Sequence, residues 1–173
     1  PEALTEDALL HAFDEMSKRC DEEISIVSLF FANAPNINVQ LVEEGISVLR
    51  ANENLDSAVS VCQYDQWAPL RARKLVDSNK IAPYVPLESF GNTSEMSSIR
   101  GGEGGCYFCD LSTQILKRRC FTNMSDGSLP FLWHGQNIYA LKNDFGFDID
   151  YEWQIPVLEH WLLTHGFTEE LTS

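Results

Sequence analysis

Apolar residues recur at helical spacing near the start of the chain, where Leu9, Leu10, Phe13 and Met16 fall three to four positions apart among acids and a lysine. Thr5-Glu6-Asp7 supplies a hydroxyl cap and two acids for the positive end of that helix, and Lys18-Arg19 supplies cations for the other end. The pattern then changes. Ile24-Ser-Ile-Val-Ser-Leu-Phe-Phe31 is nearly continuous apolar and β-branched, which predicts a strand covered on both faces in a parallel sheet. Ala32-Asn33-Ala34-Pro35-Asn36 breaks it, and Asn36 or Asn38 can cap a second helix carrying Val39, Val42, Ile46 and Leu49. A second buried strand, Ala58 to Cys62, follows a polar turn. Strand, helix, strand with short connections is the unit of a doubly wound α/β fold, in which ligands bind at the carboxyl ends of the strands. Functional groups are therefore expected after Phe31 and after Cys62.

From Val76 to Gly105 the periodicity fades and Ser, Asn, Gly and Pro dominate, which predicts a functional loop because a core strand, Cys106-Tyr-Phe-Cys109, comes next. Asp110 or Ser112 is expected to cap a short helix through Ile115 and Leu116 that ends in Lys117-Arg118-Arg119. Gly135 to Leu141 predicts another short strand. A closing helix presents Trp153, Val157, Trp161 and Leu162 as a packing stripe, with Pro156 kinking it or moving its start to a later residue.

Composition narrows the classes. With 173 residues, 44% of them hydrophobic, the chain suits one buried domain spanning 1-173. A net charge of -14 argues against nucleic acid as the partner, since phosphate backbones are held by basic surfaces. No apolar window is long enough to span a bilayer and no basic flank precedes an apolar run, so the expectation is a cytoplasmic protein without a membrane partner. Five cysteines, an odd number, do not make a disulfide framework and read as core thiols. Cys106 and Cys109 form one C-x-x-C pair with no second pair to complete a zinc site. The four histidines lack metal spacing.

The candidate chemistry lies near the end, in Gly146-Phe147-Asp148-Ile149-Asp150-Tyr151. In an extended segment Asp148 and Asp150 share one side while Phe147, Ile149 and Tyr151 take the other. Two carboxylates at a strand end are what Mg²⁺ asks of a protein, because it keeps several waters and draws other ligands from substrate. The competing reading makes Asp150 the cap of the following helix and Asp148 a turn residue. Arg71, Arg73 and Lys74 bring three cations close together in an acidic chain, either as a solvated turn or as an anion site. Arg100 precedes Gly101-Gly102-Glu103-Gly104-Gly105, where glycines permit close backbone approach to a ligand.

These stretches together resemble the acylneuraminate (CMP-sialic acid) cytidylyltransferases over most of the chain. The resemblance is carried by Ile26-Val-Ser-Leu-Phe-Phe-Ala-Asn-Ala-Pro35, by Asp56-Ser-Ala-Val-Ser-Val61 with Pro69-Leu-Arg71-Ala-Arg73, and by Gly146-Phe-Asp148-Ile-Asp150 after Trp133-His-Gly135. It implies a Rossmann-like three-layer sandwich with a mainly parallel sheet, and CMP transfer from CTP to a sialic-acid-like sugar with release of pyrophosphate and with Mg²⁺ as cofactor. Asp148 and Asp150 would match the metal-binding acids, with the metal neutralising phosphoryl charge and helping to activate the sugar hydroxyl. Arg71 or Arg73 would match a cation that forks onto the phosphate or the sugar acid. Arg100 and its glycines lie where family members carry an Arg-x-Asn-Gly run near the sugar.

Two departures shape the expectation for activity. Phe31 stands where sialic acid enzymes carry a Gln that touches the nucleotide. The family's opening strand and its triphosphate-holding loop would fall before Pro1, so the fold is expected without its first strands and the chain alone with little catalysis. The alternative function is a non-catalytic relative acting as a binding or assembly module. Loss of a central first strand would leave Ile24 to Phe31 with an unpaired edge, which predicts a homo-oligomer that covers it.

Overall fold

The computed structural model describes residues 4–100, 102, 104–146 and 148–167. Phe147, Gly101 and Glu103, named above, lie outside the described residues. The chain divides into two compact units, the first formed by 1–61 with 109–173 and the second by Cys62–Phe108.

The first unit is mixed α/β. Its sheet has the order β1-β5-β2-β6, with β1 at Ile26–Leu29, β2 at Ser57–Gln63, β5 at Tyr107–Lys117 and β6 at Ile138–Lys142. β2 and β6 are parallel in the register Val59↔Ala140, whereas β1 and β2, the two strands of the expected strand-helix-strand unit, are not neighbours because β5 lies between them. β1 and β5 are antiparallel in the register Val27↔Leu116. β5 also opposes β2, since Lys117 donates its N–H to the Asp56 carbonyl while Thr113 donates to Ser60 Oγ further along. Pairing is therefore mostly antiparallel, and the mainly parallel sheet expected from the sequence is not what forms. β5 returns through the middle of the sheet, reversing two pairings, whereas β1, β2 and β6 still run in one common direction.

The helix expected over Asp110 to Arg119 is instead this central strand. β5 places Ile115 and Leu116 on opposite faces, each in a different apolar cluster, as period-two alternation requires. On one face Leu116 joins Phe13, Cys120, Phe121, Met124 and Trp133, and the Phe13 and Phe121 rings stack at 4.6 Å. Burying each such aromatic contributes about 1.5–3 kcal/mol. On the other face Ile115 packs with Leu41, Leu49, Ala58 and Leu141. The cations Lys117, Arg118 and Arg119 end the strand, and the helical turn α3, Arg119–Thr122, begins only there.

Three longer helices complete the unit. α1, Thr5–Arg19, follows the periodic pattern, with Leu4 and not Thr5 at its N-cap and Met16 exposed. α2, Val39–Ala51, is capped by Asn38, whose side chain accepts the Gln40 N–H at 2.9 Å. Gly45 lets α2 lie against the sheet, because a Cβ there would be 2.6 Å from Ile115 Cγ1. α4, Ile155–Thr164, starts just before Pro156, which needs no N–H in the first turn. Trp153 is exposed and Leu158 carries the burial, so the expected Trp stripe is only partly a packing face.

The second unit holds an antiparallel hairpin, β3 at Arg73–Asp77 and β4 at Lys80–Pro83, within the stretch whose weak periodicity predicted a loop. Leu75, Val76 and Ile81 on it are exposed. Asp65 closes the ends of this unit by accepting the Cys106 N–H at 2.8 Å, and Tyr64 donates to the Cys106 carbonyl at 2.9 Å. Among the described residues no helix is long and apolar enough to cross a membrane.

Candidate functional site

Because β1, β2 and β6 share a direction, their carboxyl ends lie at one edge of the sheet, and β5 begins there. Asp110 enters at that point, almost fully buried. Its Oδ1 accepts hydrogen bonds from the Ser112 N–H at 2.9 Å, from Ser112 Oγ at 2.8 Å and from Ser60 Oγ, while Oδ2 accepts from Asn143 Nδ2 at 3.0 Å. Leu111 beside it takes φ 58, a left-handed conformation that costs an L-residue about 1–2 kcal/mol. The Ser112 N–H bond to Asp110 and the bond from Gln114 Nε2 to the Leu111 carbonyl at 3.1 Å hold that turn.

The loop after β1 reaches the same edge. Asn33 accepts the Ile149 N–H at 2.8 Å, which fastens the acid-bearing segment to this loop. Asn36 is fully buried and donates from Nδ2 to the Phe145 carbonyl at 2.6 Å, leaving its Oδ1 without a partner. That bond also fixes which way the amide points, since only the nitrogen can donate.

Asp148 is half-buried and its Oδ1 is a buried acceptor with no donor. Burial first, then the negative charges of Asp150 and Asp110, hold its carboxyl above the usual carboxylate range. Asp150 is exposed, and its side chain does not cap the following helix: Gln154 Oε1 accepts the N–H groups of Asp150 and Tyr151 at 2.7 Å each, and the α4 N-cap is Gln154. The segment thus brings two acids to the sheet edge beside a third, Asp110, with orphaned oxygens on Asp148 and Asn36. An all-oxygen donor set with unsatisfied acceptors suits a hard divalent cation, for which Mg²⁺ needs only one or two carboxylates. Among the described residues no group of three or more His, Cys, Asp and Glu side chains surrounds a common metal position, so the fit rests on the two-acid set.

The predicted cations belong to the second unit. Arg71 donates from Nη2 to the Ser98 carbonyl at 3.1 Å and keeps a buried Nε without a partner. Arg73 donates from Nη1 to the carbonyls of Leu70 and Ala72 at 2.8 and 2.9 Å, and Arg100 is exposed. Arg71 therefore reaches the segment that carries Arg100. Cys106 is held above its usual range by burial and then by Asp65, and Cys109 by burial and then by Asp110, which favours the thiol over the thiolate in both.

A cavity of about 230 Å³ lies at the opposite edge, beside the amino ends of β2 and β6, lined by Asp56, Arg119, Asn123 and Gln136 among others. Its carboxylate is already engaged. Asp56 accepts from Arg119 Nε at 2.5 Å and from the N–H groups of Gln136 and Asn137 at 2.8 and 2.7 Å. Burial would raise its pKa, but these backbone bonds and the guanidinium outweigh it and the net direction is down. This is a structural clamp between the starts of β2 and β6.

No family model matches the chain. A search of curated proteins finds no match either. The assignment of chemistry therefore rests on the residues themselves.

Of the groups at the carboxyl edge, the sequence pattern singled out Asp148 and Asp150 but not Asn36, Asp110 or Asn143 as site residues. Asn36 and Asp110 drew notice only as helix caps, the usual role of short polar side chains. The available signal was their position immediately beside apolar strand segments, where a polar side chain must find a partner.

Proposed function

We propose that this chain is a cytidylyltransferase-type nucleotidyltransferase domain, built on a Rossmann-like three-layer arrangement, that acts on CTP and a sialic-acid-like sugar at the carboxyl edge of its sheet. Support for the layering comes from apolar clusters on both faces of the sheet. The observation that carries the reading is Asp148, a half-buried acid with an orphaned oxygen, placed beside Asp150 and Asp110. Asp148 and Asp150 would hold Mg²⁺, which when bound neutralises charge on the phosphoryl group and helps ionise the attacking hydroxyl. Arg71, Arg73 and Arg100 of the second unit carry guanidinium groups of the kind that fork onto a phosphate or a sugar carboxylate.

Calorimetry with CTP and Mg²⁺ tests this. Heat of binding to the unaltered chain that disappears in Asp150→Ala is the expected result, and no heat in either would overturn the reading.

A second reading, a binding or assembly module without catalysis, is favoured by the exposed apolar residues Leu75, Val76 and Ile81 on the β3–β4 hairpin. It shares with the first a homo-oligomeric state. Binding of CTP with Mg²⁺ separates the two, being expected only of the first, whereas pyrophosphate release by this chain alone is expected to be small under either.

A further inference from the structure

Two side-chain oxygens at the carboxyl edge, Asp148 Oδ1 and Asn36 Oδ1, are buried and accept no hydrogen bond. A buried acceptor left unpaired costs about 1–3 kcal/mol, and such groups in native proteins usually have a water, an ion or a ligand as their missing partner. The two belong to one assembly. Asn33, three residues before Asn36, is hydrogen-bonded to Ile149, next to Asp148. The Asn36 amide also stands against Gly146: a Cβ placed there would be 2.5 Å from Asn36 Nδ2 and 2.8 Å from Asp110 Oδ2. Asn36 is fully buried, its nitrogen donates to the Phe145 carbonyl, and its carbonyl-type oxygen accepts no hydrogen bond.

Asn36 does nothing for helix α2, whose cap is Asn38. Its bond to the Phe145 carbonyl is a structural role for the nitrogen, but it leaves the oxygen of the same amide buried and unpaired. A neutral amide oxygen beside two acids is a familiar element of hard-cation sites, because it adds a donor without adding charge repulsion. Mg²⁺ held by two carboxylates keeps several waters, and these need acceptors of their own.

We propose that Asn36 is a positioning residue of the cation site, its Oδ1 facing the hydrated divalent cation held by Asp148 and Asp150. This rests on the cation reading of those two acids. Asp110 is not the third ligand in this arrangement: its oxygens are committed to Ser60, Ser112 and Asn143, so it braces Asn143 and supplies negative charge from behind.

Mn²⁺ titration of the purified chain, followed by the paramagnetic resonance of the free ion, tests the proposal without reference to turnover. Asn36→Leu and Asn36→Asp both lose the Nδ2 bond to Phe145, but only Asn36→Leu also loses the oxygen, so the difference between the two variants reports the oxygen. The expected result is a rise in the Mn²⁺ dissociation constant of about tenfold or more for Asn36→Leu, as for other groups that orient metal ligands. Asn36→Asp should bind at least as tightly as the unaltered chain. Thermal unfolding without metal checks that each variant is folded. If Asn36→Leu does not fold, Asn36→Asp decides: weaker binding by the folded Asp variant overturns the proposal. Asp148→Asn distinguishes the two levels. Binding abolished by Asp148→Asn but unchanged in folded Asn36→Leu overturns the role of Asn36 and leaves the cation reading standing, whereas no Mn²⁺ binding by the unaltered chain overturns both.

Discussion

Asn36 and Asp110 meet across Gly146, where a single added methyl would come within 3 Å of the amide nitrogen of one and the carboxylate oxygen of the other. Neither neighbour can retreat easily, because Asn36 Nδ2 holds the Phe145 carbonyl and Asp110 holds Ser60, Ser112 and Asn143. Gly146→Ala is therefore expected to destabilise the chain by about 1–3 kcal/mol, the usual cost of overpacking. Urea unfolding measures this. The same substitution should weaken Mn²⁺ binding, since the displaced backbone leads directly to Asp148. An Ala variant with unchanged stability would show that the edge is looser than these contacts imply.

Asp148 carries a stability signature of its own. Burial, then repulsion from Asp150 and Asp110, raises its folded pKa above the unfolded value. The native state thus binds this proton more tightly than the unfolded state, and the unfavourable contribution at neutral pH is relieved as pH falls toward the folded pKa. Asp148→Asn is expected to melt higher than the unaltered chain at pH 7 without metal, with the gap closing on acidification and with Mn²⁺ binding lost. Equal melting temperatures at pH 7 would count against the buried, repelled carboxylate.

How far the sequence revealed this structure depends on what each segment had to satisfy. α1, α2 and β2 were legible because helical spacing or a continuous β-branched run left little choice of period. Asp110 to Lys117 was misread as a capped helix, because Asp and Ser favour caps locally while Ser60, Asn143 and two packed faces dictate a strand. Nothing in local pattern announces that a later strand will insert between β1 and β2, so the sheet's direction was missed with it. The Asp148 and Asp150 pair was visible as spacing. Its partner Asn36 was not, because the pairing spans more than a hundred residues through Phe145.

Gln114 anchors the core on the side of Trp133. Its Oε1 accepts from Trp133 Nε1 at 2.9 Å and pairs with His134 Nε2 at 2.8 Å, which makes that nitrogen the protonated one. Gln114→Leu would strand two buried donors, and a loss of about 1–3 kcal/mol for each is expected in urea unfolding. His134 adds a pH window. Burial depresses its pKa to about 4 from an ordinary 6.5, so its contribution is intact above pH 6.5 and is lost as pH falls through the interval to about 4. His134→Gln should flatten that part of the acid unfolding profile, and an unchanged profile would assign the acid sensitivity elsewhere.

β1 closes one end of the sheet and, among the described residues, pairs with β5 alone. An end strand with a free row of backbone groups favours association by sheet continuation, and charge on such an edge opposes it. A homo-oligomer at micromolar concentration is therefore expected by light scattering, and a monodisperse monomer would refute it. Ser28, exposed within β1, is the place to set a charge without disturbing the core. Ser28→Lys should lower the mass to that of a monomer if two β1 edges pair. The hairpin offers the competing surface, because Leu75 and Ile81 are exposed between cations in an otherwise acidic chain. If Ser28→Lys leaves the mass unchanged and Ile81→Lys reduces it, association runs through the hairpin and the β1 edge is left to some other strand.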